Sequence, residues 1–184
     1  MCELPNYNKV CVVQRNKKTG CIPSSIEWML RYLKIEGIDF DGFQEKFDLE
    51  IAIQRYYENR PDKKNTGGDV CGEVKKVYPQ TSFKCDKPFK NGEEKLSFIK
   101  ELIKKGIPVT VSLYRDEKKV SDTKIEVYCH IMPVVKIGDN TITVLDLSKE
   151  VDQEETYQKS DIIRQHDELP WGKDIIHWNK GRGS

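Results

Sequence analysis

The chain has 184 residues, of which 37% are hydrophobic and 33% are charged. This composition is typical of a globular protein with a densely charged surface, and the length predicts a single domain over residues 1–180. Lysine and arginine number 31 against 30 acidic residues, so the formal net charge of +1 disfavours nucleic acid or an anionic membrane as a partner.

Targeting and metal-binding signals are not visible in the sequence. No apolar run approaches the roughly 18 residues that cross a bilayer, and the first residues do not read as a secretory signal, so we expect a cytoplasmic protein. Residues 181–184 resemble a cloning remnant. Six cysteines without a Cys-x-x-Cys pair, and only three histidines, disfavour a zinc site. We therefore expect reduced thiols and neither metal nor cofactor, while nothing indicates the oligomeric state.

The amino-terminal half predicts mainly helices. Lys9–Gln14 is rich in β-branched residues and predicts a strand or an extended segment, followed by a polar loop over residues 15–20. The next apolar residues have the i, i+3, i+4, i+7 spacing of a buried helical face: Ile26, Met29, Leu30 and Leu33. This helix begins at Cys21, with Pro23 in its first turn and Gly37 as its stop. Further helices are predicted at Asp41–Tyr57, Val70–Tyr78 and Glu93–Lys105, with an exposed loop at Asn59–Gly68.

The carboxy-terminal half predicts strands. Valine, isoleucine and threonine are enriched in three segments: Pro108–Tyr114, Lys124–Ile137 and Thr141–Leu147. Arg115–Thr123 is charged and predicts a hairpin loop, Glu154–Leu169 predicts a helix, and Asp174–Trp178 predicts a last strand. Helices first and antiparallel strands later indicate an α+β fold.

Cys21 is the first candidate for chemistry. It opens the best-defined helix, and the partial positive charge of a helix amino terminus favours the thiolate, which is the nucleophilic form of cysteine. A buried and inert cysteine would fit the same position. Cys71, followed by Gly72 at the start of another predicted helix, is a weaker alternative because Asp69 beside it disfavours a thiolate. A thiol nucleophile also requires a histidine brought near by the fold.

His130 is the histidine that best fits this requirement. It lies within a predicted strand between apolar residues, whereas His166 and His177 lie in charged or aromatic surroundings typical of packing. A lone histidine in such a strand is more often a core residue with satisfied hydrogen bonds than a catalyst. The catalytic interpretation therefore depends on a third group that orients the imidazole.

Asp146 is the candidate for this orienting role, because an acid at the end of an apolar strand has to be paired or exposed. If Gly138–Asn140 forms a three-residue hairpin loop, Asp146 lies opposite Met132, on the same strand face as His130. The diagonal separation of roughly 7 Å then allows the two side chains to form a hydrogen bond. A two-residue loop would instead place Asp146 opposite Pro133, on the wrong face.

Gln14 is the fourth candidate. It lies seven positions before Cys21, and its side-chain amide can donate to an oxyanion together with the Cys21 backbone N–H. An isolated glutamine in a polar segment has no such meaning by itself.

Taken together, Gln14, Cys21 opening an apolar helix, His130 in a strand and Asp146 sixteen residues later resemble the papain-like cysteine peptidases. Within that superfamily they are most similar to the bacteriocin-processing peptidases, which cut leader peptides after double glycine. The resemblance covers about residues 14–147. It implies a helical amino-terminal part whose nucleophile helix packs on a carboxy-terminal antiparallel sheet. It also implies a nucleophile at Cys21, a base at His130, an orienting aspartate at Asp146 and an oxyanion donor at Gln14.

The chain departs from the family pattern at three positions. Ile22 stands where the family usually has glycine, and Pro133 closely follows the histidine within a strand. Gln14 precedes the cysteine by seven residues rather than the common six. Either the intervening loop accommodates one extra residue, or Gln14 is not the donor.

The resemblance implies a hydrolase, a thiol protease that cleaves a peptide or isopeptide bond of a peptide or protein substrate through an acyl-enzyme on Cys21. Two other hypotheses remain open from the sequence. The same catalytic triad can transfer the acyl group to an amine or thiol, as transglutaminase-like enzymes do. Alternatively, the chain is an inactive binding module on a papain-like scaffold.

Overall fold

The computed structural model describes residues 1–48, 70–86, 89–121, 124–169 and 175–179 of the chain. Within these ranges the helices are α1 (Cys21–Leu33), α2 (Phe43–Lys46), α3 (Val70–Val77), α4 (Gly92–Lys104) and α5 (Lys159–Glu168). A short 3-10 helix at Tyr7–Lys9 precedes them. No helix in this part of the chain has both the length and the apolar character that a bilayer crossing demands.

The described strands form one antiparallel sheet. They are β1 (Cys2–Glu3), β2 (Phe83–Asp86), β3 (Val109–Ser121), β4 (Lys124–Ile137), β5 (Thr141–Leu145), β6 (Glu154–Gln158) and β7 (Ile175–Trp178). Their order is β2-β7-β3-β4-β5-β6, and β1 pairs with the end of β4. The helices lie mainly in the first half and the long strands in the second, which confirms the predicted α+β fold.

Helix α1 packs on the sheet through an almost completely buried face. Ile26, Trp28, Met29 and Leu30 are each 0% exposed. Ser25, also buried, donates a hydrogen bond of 3.2 Å from Oγ to the Ile131 carbonyl of β4. This bond lies one residue from His130, and Ser25 lies one turn after Cys21. The hydrogen bond of Ser25 therefore holds the first turn of α1 beside β4, close to His130.

Lys9–Gln14 is not a strand of the sheet, although Val10 has the extended backbone of the alternative prediction. Residues 7–9 form the 3-10 helix, and residues 10–14 belong to no regular element. Other groups satisfy the backbone here: the Gln14 N–H donates to the Leu147 carbonyl at 2.7 Å, and Gln153 Nε2 donates to the Val12 carbonyl at 2.8 Å. Side chains and one loop carbonyl thus replace the neighbouring strand that the β-branched composition predicted.

The second predicted helix is shorter in its described part. Helix α2 covers Phe43–Lys46, and Phe47 ends it with φ −113°. The remainder of the predicted helix from residue 49 onward, and the predicted loop Asn59–Gly68, lie outside the described residues. Phe43 and Phe47 are each 1% exposed, so even this single turn contributes to the core.

Two boundaries in the second half differ from the prediction. Strand β3 continues to Ser121, so most of the charged segment Arg115–Thr123 is strand rather than loop. The segment predicted as one helix from Glu154 begins as strand β6, and α5 follows only from Lys159. Exposure in β6 alternates residue by residue, which is the period of a half-buried strand.

The hairpin between β4 and β5 differs from its prediction but reaches the predicted register. Gly138 N–H donates to the Thr141 carbonyl at 2.9 Å, and Ile137 faces Ile142, so the turn is the shorter, two-residue one. A β-bulge between Val134 and Lys136 then shifts the register by one residue, and Val134 faces Val144. The two-residue turn alone would place the Asp146 side chain on the face of the sheet opposite to His130. The bulge shifts the pairing by one more residue, so the Asp146 side chain lies on the same face as His130.

Candidate active site

Cys21 is the first residue of α1 and is 9% exposed. Gly20 caps the helix without a side-chain hydrogen bond, and Pro23 has no N–H. The Ser24 N–H donates to the Gly20 carbonyl at 3.0 Å. The first-turn backbone donors that remain are therefore those of Cys21 and Ile22, next to the sulfur. A helix start of this kind provides both an electropositive environment and hydrogen-bond donors for a developing oxyanion.

Position 20 requires glycine because Asn16 and Gln14 pack closely against its backbone, and not because of an unusual backbone angle. A Cβ atom at this position would lie 2.5 Å from the Asn16 carbonyl oxygen and 3.0 Å from Gln14 Cγ. The Gln14 side chain therefore packs directly against the residue that precedes Cys21. Any larger residue at position 20 would push the Gln14 loop away from the nucleophile.

His130 lies on β4 with its side chain 15% exposed, and it contacts both other members of the predicted triad. Its Nε2 lies 3.0 Å from Asp146 Oδ1. The Cys21 side chain lies near enough to the ring to contribute to the raised pKa of His130. Because Nε2 faces the carboxylate, Nδ1 is the nitrogen left for the sulfur.

Asp146 follows β5 and is 6% exposed. Its Oδ1 accepts hydrogen bonds from the Ser148 N–H at 3.0 Å and from Ser148 Oγ at 2.6 Å, in addition to the His130 contact. Its Oδ2 accepts a hydrogen bond of 3.2 Å from the Arg115 guanidinium. A buried carboxylate with this many donors is held in one orientation, and so is the imidazole bound to it.

Burial and hydrogen bonding act in opposite directions on the two titrating groups. Burial alone lowers the pKa of His130, but the hydrogen bonds to Asp146 and Cys21 outweigh it and raise the pKa from 6.5 to about 9. Burial raises the pKa of Asp146, but the hydrogen bonds from His130 and Ser148 hold it well below its usual 3.8. At neutral pH the pair is therefore an imidazolium and a carboxylate.

Asp146→Asn should destabilise the fold in a pH-dependent way. The raised pKa of His130 contributes stability that is complete below pH 6.5 and is lost as the pH rises through about 9. Removing the carboxylate charge should cost about 1–3 kcal/mol at pH 6, and the loss should shrink toward pH 10. Urea unfolding at pH 6, 8 and 10 measures this difference. Asp161→Asn, an exposed acid on α5, is the control. Equal losses for Asp146→Asn at pH 6 and pH 10 would contradict the charged pair.

Gln14 is 1% exposed, and its loop accommodates the extra residue by a tight turn. Gln14 Nε2 donates to the Asn16 carbonyl at 2.6 Å, and the Gly20 N–H donates to the same oxygen at 2.9 Å. Asn16 Oδ1 accepts hydrogen bonds from the N–H groups of Lys18 and Thr19. These contacts turn the loop so that Gln14 Cγ packs against Gly20, the residue before Cys21, despite the spacing of seven. One of the two N–H bonds of the Gln14 amide remains for another acceptor.

Arg115 and Ser148 are site residues that the sequence analysis missed. Arg115 is the extra residue of a β-bulge in β3, between the pairs Tyr114–Cys129 and Asp116–Tyr128, and its guanidinium reaches Asp146 and Glu155. The charged composition around Arg115 predicts a loop and conceals this role. Ser148 has a local signal, because a serine two residues after an aspartate commonly closes a side-chain turn.

The alternative nucleophiles and histidines have other roles. Ser24 Oγ donates to the Cys21 carbonyl at 3.2 Å, so it is a first-turn residue. Cys71 is the second residue of α3 rather than its start. His166 lies 3.3 Å from the Phe89 carbonyl, and His177 lies 2.9 Å from the Trp178 carbonyl. In the described ranges, no three histidine, cysteine or acidic side chains are grouped so that they could hold a metal ion.

The structure thus brings together all four residues that the sequence selected. The Cys21 side chain lies near the His130 ring, the buried Asp146 carboxylate orients that ring, and Gln14 Cγ packs against Gly20 at the helix start. Such an arrangement can place a thiolate against a carbonyl carbon, donate hydrogen bonds to the resulting oxyanion and deliver a proton to a leaving group.

Known proteins resemble this chain in fold and in family. No curated protein matches the chain. Among solved structures, the crystal structure of a proposed C39-like peptidase from Bacillus anthracis is similar, with a TM-score of 0.58 and 15% identity over 97% of this chain and 98% of that one. This similarity confirms the fold.

The family comparison covers most of the chain. The model of the Peptidase_C39 like family matches residues 7–170, a range that contains Gln14, Cys21, His130 and Asp146. The match confirms the predicted resemblance to the bacteriocin-processing group of papain-like cysteine peptidases. This chain belongs to the Peptidase_C39 like family.

Proposed function

We propose that this protein is a cysteine peptidase that hydrolyses a peptide or isopeptide bond through an acyl-enzyme on Cys21. Family membership indicates cysteine peptidase activity. The observation that carries the finer proposal is the buried chain of contacts from Cys21 to His130 to Asp146, in which the imidazole has a raised pKa of about 9. The substrate is a peptide or a protein.

In the first step the Cys21 thiolate attacks the carbonyl carbon of the scissile bond. The negative charge that develops on the carbonyl oxygen is stabilised by the Cys21 N–H and the Gln14 amide. His130 gives its proton to the nitrogen of the leaving amine, the carbon–nitrogen bond breaks, and a thioester remains on Cys21.

In the second step the neutral His130 takes a proton from water, and the resulting hydroxide attacks the thioester carbon. The carbon–sulfur bond breaks, the acid product leaves, and the thiolate–imidazolium pair is restored. Asp146 keeps its charge throughout and orients the imidazole for both proton transfers.

A product analysis in ¹⁸O water tests this proposal. The chain is incubated with a protein digest and a double-glycine peptide, with glycinamide added as an amine acceptor. Hydrolysis introduces ¹⁸O into each new carboxyl group, whereas acyl transfer yields glycinamide adducts without the label. We expect the parent chain to produce peptides with labelled carboxyl groups, and we expect Cys21→Ser to produce none. Adducts alone would show a transferase, and the absence of both products would identify an inactive binding module.

A further inference from the structure

Gln44, on the short helix α2, is 4% exposed and uses its whole side-chain amide within the protein. Its Nε2 donates to the Val13 carbonyl at 2.9 Å and to Glu27 Oε2 at 2.8 Å. Its Oε1 accepts a hydrogen bond of 2.9 Å from the Arg15 N–H. Two donors and one acceptor are therefore engaged.

The orientation of this amide follows from its partners. A carbonyl oxygen and a carboxylate oxygen can only accept hydrogen bonds, so the nitrogen of Gln44 has to face Val13 and Glu27. The Arg15 N–H can only donate, so the oxygen has to face Arg15. A glutamine side chain fits this set of three partners, whereas a carboxylate of the same shape does not.

The two backbone contacts lie on either side of Gln14. The amide of Gln44 takes the place of a neighbouring strand, because it binds the carbonyl of residue 13 and the N–H of residue 15. The N–H of Gln14 itself donates to the Leu147 carbonyl at 2.7 Å. The backbone of Gln14 is thus held by a side chain at one edge and by the loop after Asp146 at the other.

The Gln44 amide also connects the backbone around Gln14 to α1, the helix that begins at Cys21. Glu27 lies in α1, which begins at Cys21, and is 5% exposed. Its Oε1 accepts a hydrogen bond of 2.8 Å from Arg31 Nε, which keeps the carboxylate in place. A continuous series of buried and part-buried hydrogen bonds therefore connects the helix of Cys21 to the backbone on either side of Gln14.

Other residues at and after α2 bind the same loop. Asp48 accepts hydrogen bonds from Asn16 Nδ2 at 2.9 Å and from Thr19 Oγ1 at 3.0 Å. Glu45 pairs with Arg15 at 2.9 Å, but both side chains are more than half exposed, so this pair is screened by solvent. Gln44, which is buried, is the residue of α2 that binds the backbone on both sides of Gln14.

We propose that Gln44 is a positioning residue that sets the Gln14 amide for oxyanion stabilisation. This inference rests on the proposed function of Cys21 and Gln14. Gln44 acts through the backbone around Gln14, so its loss should affect reactions that generate an oxyanion and spare those that do not.

Two reagents separate these effects at Cys21. With 4-nitrophenyl acetate the sulfur attacks the carbonyl carbon, the carbon–oxygen bond breaks, 4-nitrophenolate leaves, and an acetyl thioester forms through an oxyanion intermediate. With iodoacetamide the sulfur displaces iodide at a saturated carbon, and no oxyanion forms. We expect Gln44→Met to slow acetylation about 10-fold or more while alkylation changes less than about twofold. Glu45→Gln is the matched control on the same helix and should change neither rate.

A double-mutant cycle with Gln14→Ala distinguishes positioning from general destabilisation. Gln14→Ala should slow acetylation about 10²–10³-fold, and adding Gln44→Met should cause little further loss, because the group that Gln44 positions is gone. Gln44→Glu, which faces Glu27 with a second carboxylate, provides a second variant, and circular dichroism checks that each variant is folded.

The possible results distinguish failure of the role of Gln44 from failure of the proposed function. Equal slowing by Gln44→Met in the presence and absence of Gln14 would overturn the positioning role, and so would an unchanged ratio of acetylation to alkylation. If Cys21 of the parent chain is acetylated no faster than the exposed Cys11, the proposed function itself fails, and the role of Gln44 fails with it.

Discussion

Replacing Cys21 with serine should lower the rate of 4-nitrophenyl acetate turnover about 10³-fold or more. Serine keeps the size and the hydrogen-bonding capacity of the side chain at the start of α1, so the helix and its packing should persist. The hydroxyl is a far weaker acid than the thiol, and the imidazolium of His130 cannot maintain it as an alkoxide. Release of 4-nitrophenolate measures turnover, and mass spectrometry of the digested protein locates the acetyl group.

Cys11→Ser is the matched control because Cys11 is exposed and lies in the segment that leads to Gln14. This variant should keep parental turnover. If Cys21→Ser retains more than about a tenth of the parental rate, the acyl-enzyme does not form on Cys21. The nucleophile would then have to be sought elsewhere on the same scaffold.

Replacing His130 with alanine should remove the enhanced reactivity of Cys21 at low pH. In the parent chain the pKa of His130 is raised to about 9, so the ring is protonated from pH 5 to near pH 9 and places a positive charge near the sulfur. Iodoacetamide should therefore alkylate Cys21 faster than Cys11 at pH 6. In His130→Ala the Cys21 rate at pH 6 should fall about 10-fold or more.

The difference in Cys21 alkylation rate between the parent chain and His130→Ala should depend on pH. Parent and variant should differ most below about pH 7 and converge as the pH rises through 9, because the imidazolium loses its proton there. His166→Ala removes a buried histidine of α5 outside the site, and it should leave the profile unchanged. Equal alkylation profiles for the parent chain and His130→Ala would exclude His130 as the partner of Cys21.

The sequence predicted the nucleophile helix well because its signals are local. The spacing of Ile26, Met29, Leu30 and Leu33 corresponds to one helical face, and the observed helix is Cys21–Leu33. Position 21 at a helix start follows from that periodicity together with Pro23 in the first turn. Strand Lys124–Ile137, which carries His130, was also predicted with its observed bounds, since β-branched residues dominate its second half.

Residues 10–14 and the turn between β4 and β5 differ from their predictions because tertiary contacts override the local preference of the sequence. Residues 10–14 have the composition of a strand, yet side-chain amides of Gln44 and Gln153 occupy the positions where a partner strand would bind. Asp146 reaches His130 by a two-residue turn and a bulge, rather than by the three-residue loop that the sequence suggested. Turn length and bulge each change the register by one residue, and composition specifies neither.

The order of helices and strands, the helix that begins at Cys21 and the family pattern of Gln14, Cys21, His130 and Asp146 can all be predicted from the amino-acid sequence. These features depend on periodicity and on residue types at fixed spacing, which a linear chain displays directly. Only the tertiary structure placed Arg115 against Asp146 and Gln44 against the backbone around Gln14. Those contacts join residues about 30 positions apart through a bulge and a single helical turn, and their energy comes from burial that no local pattern encodes.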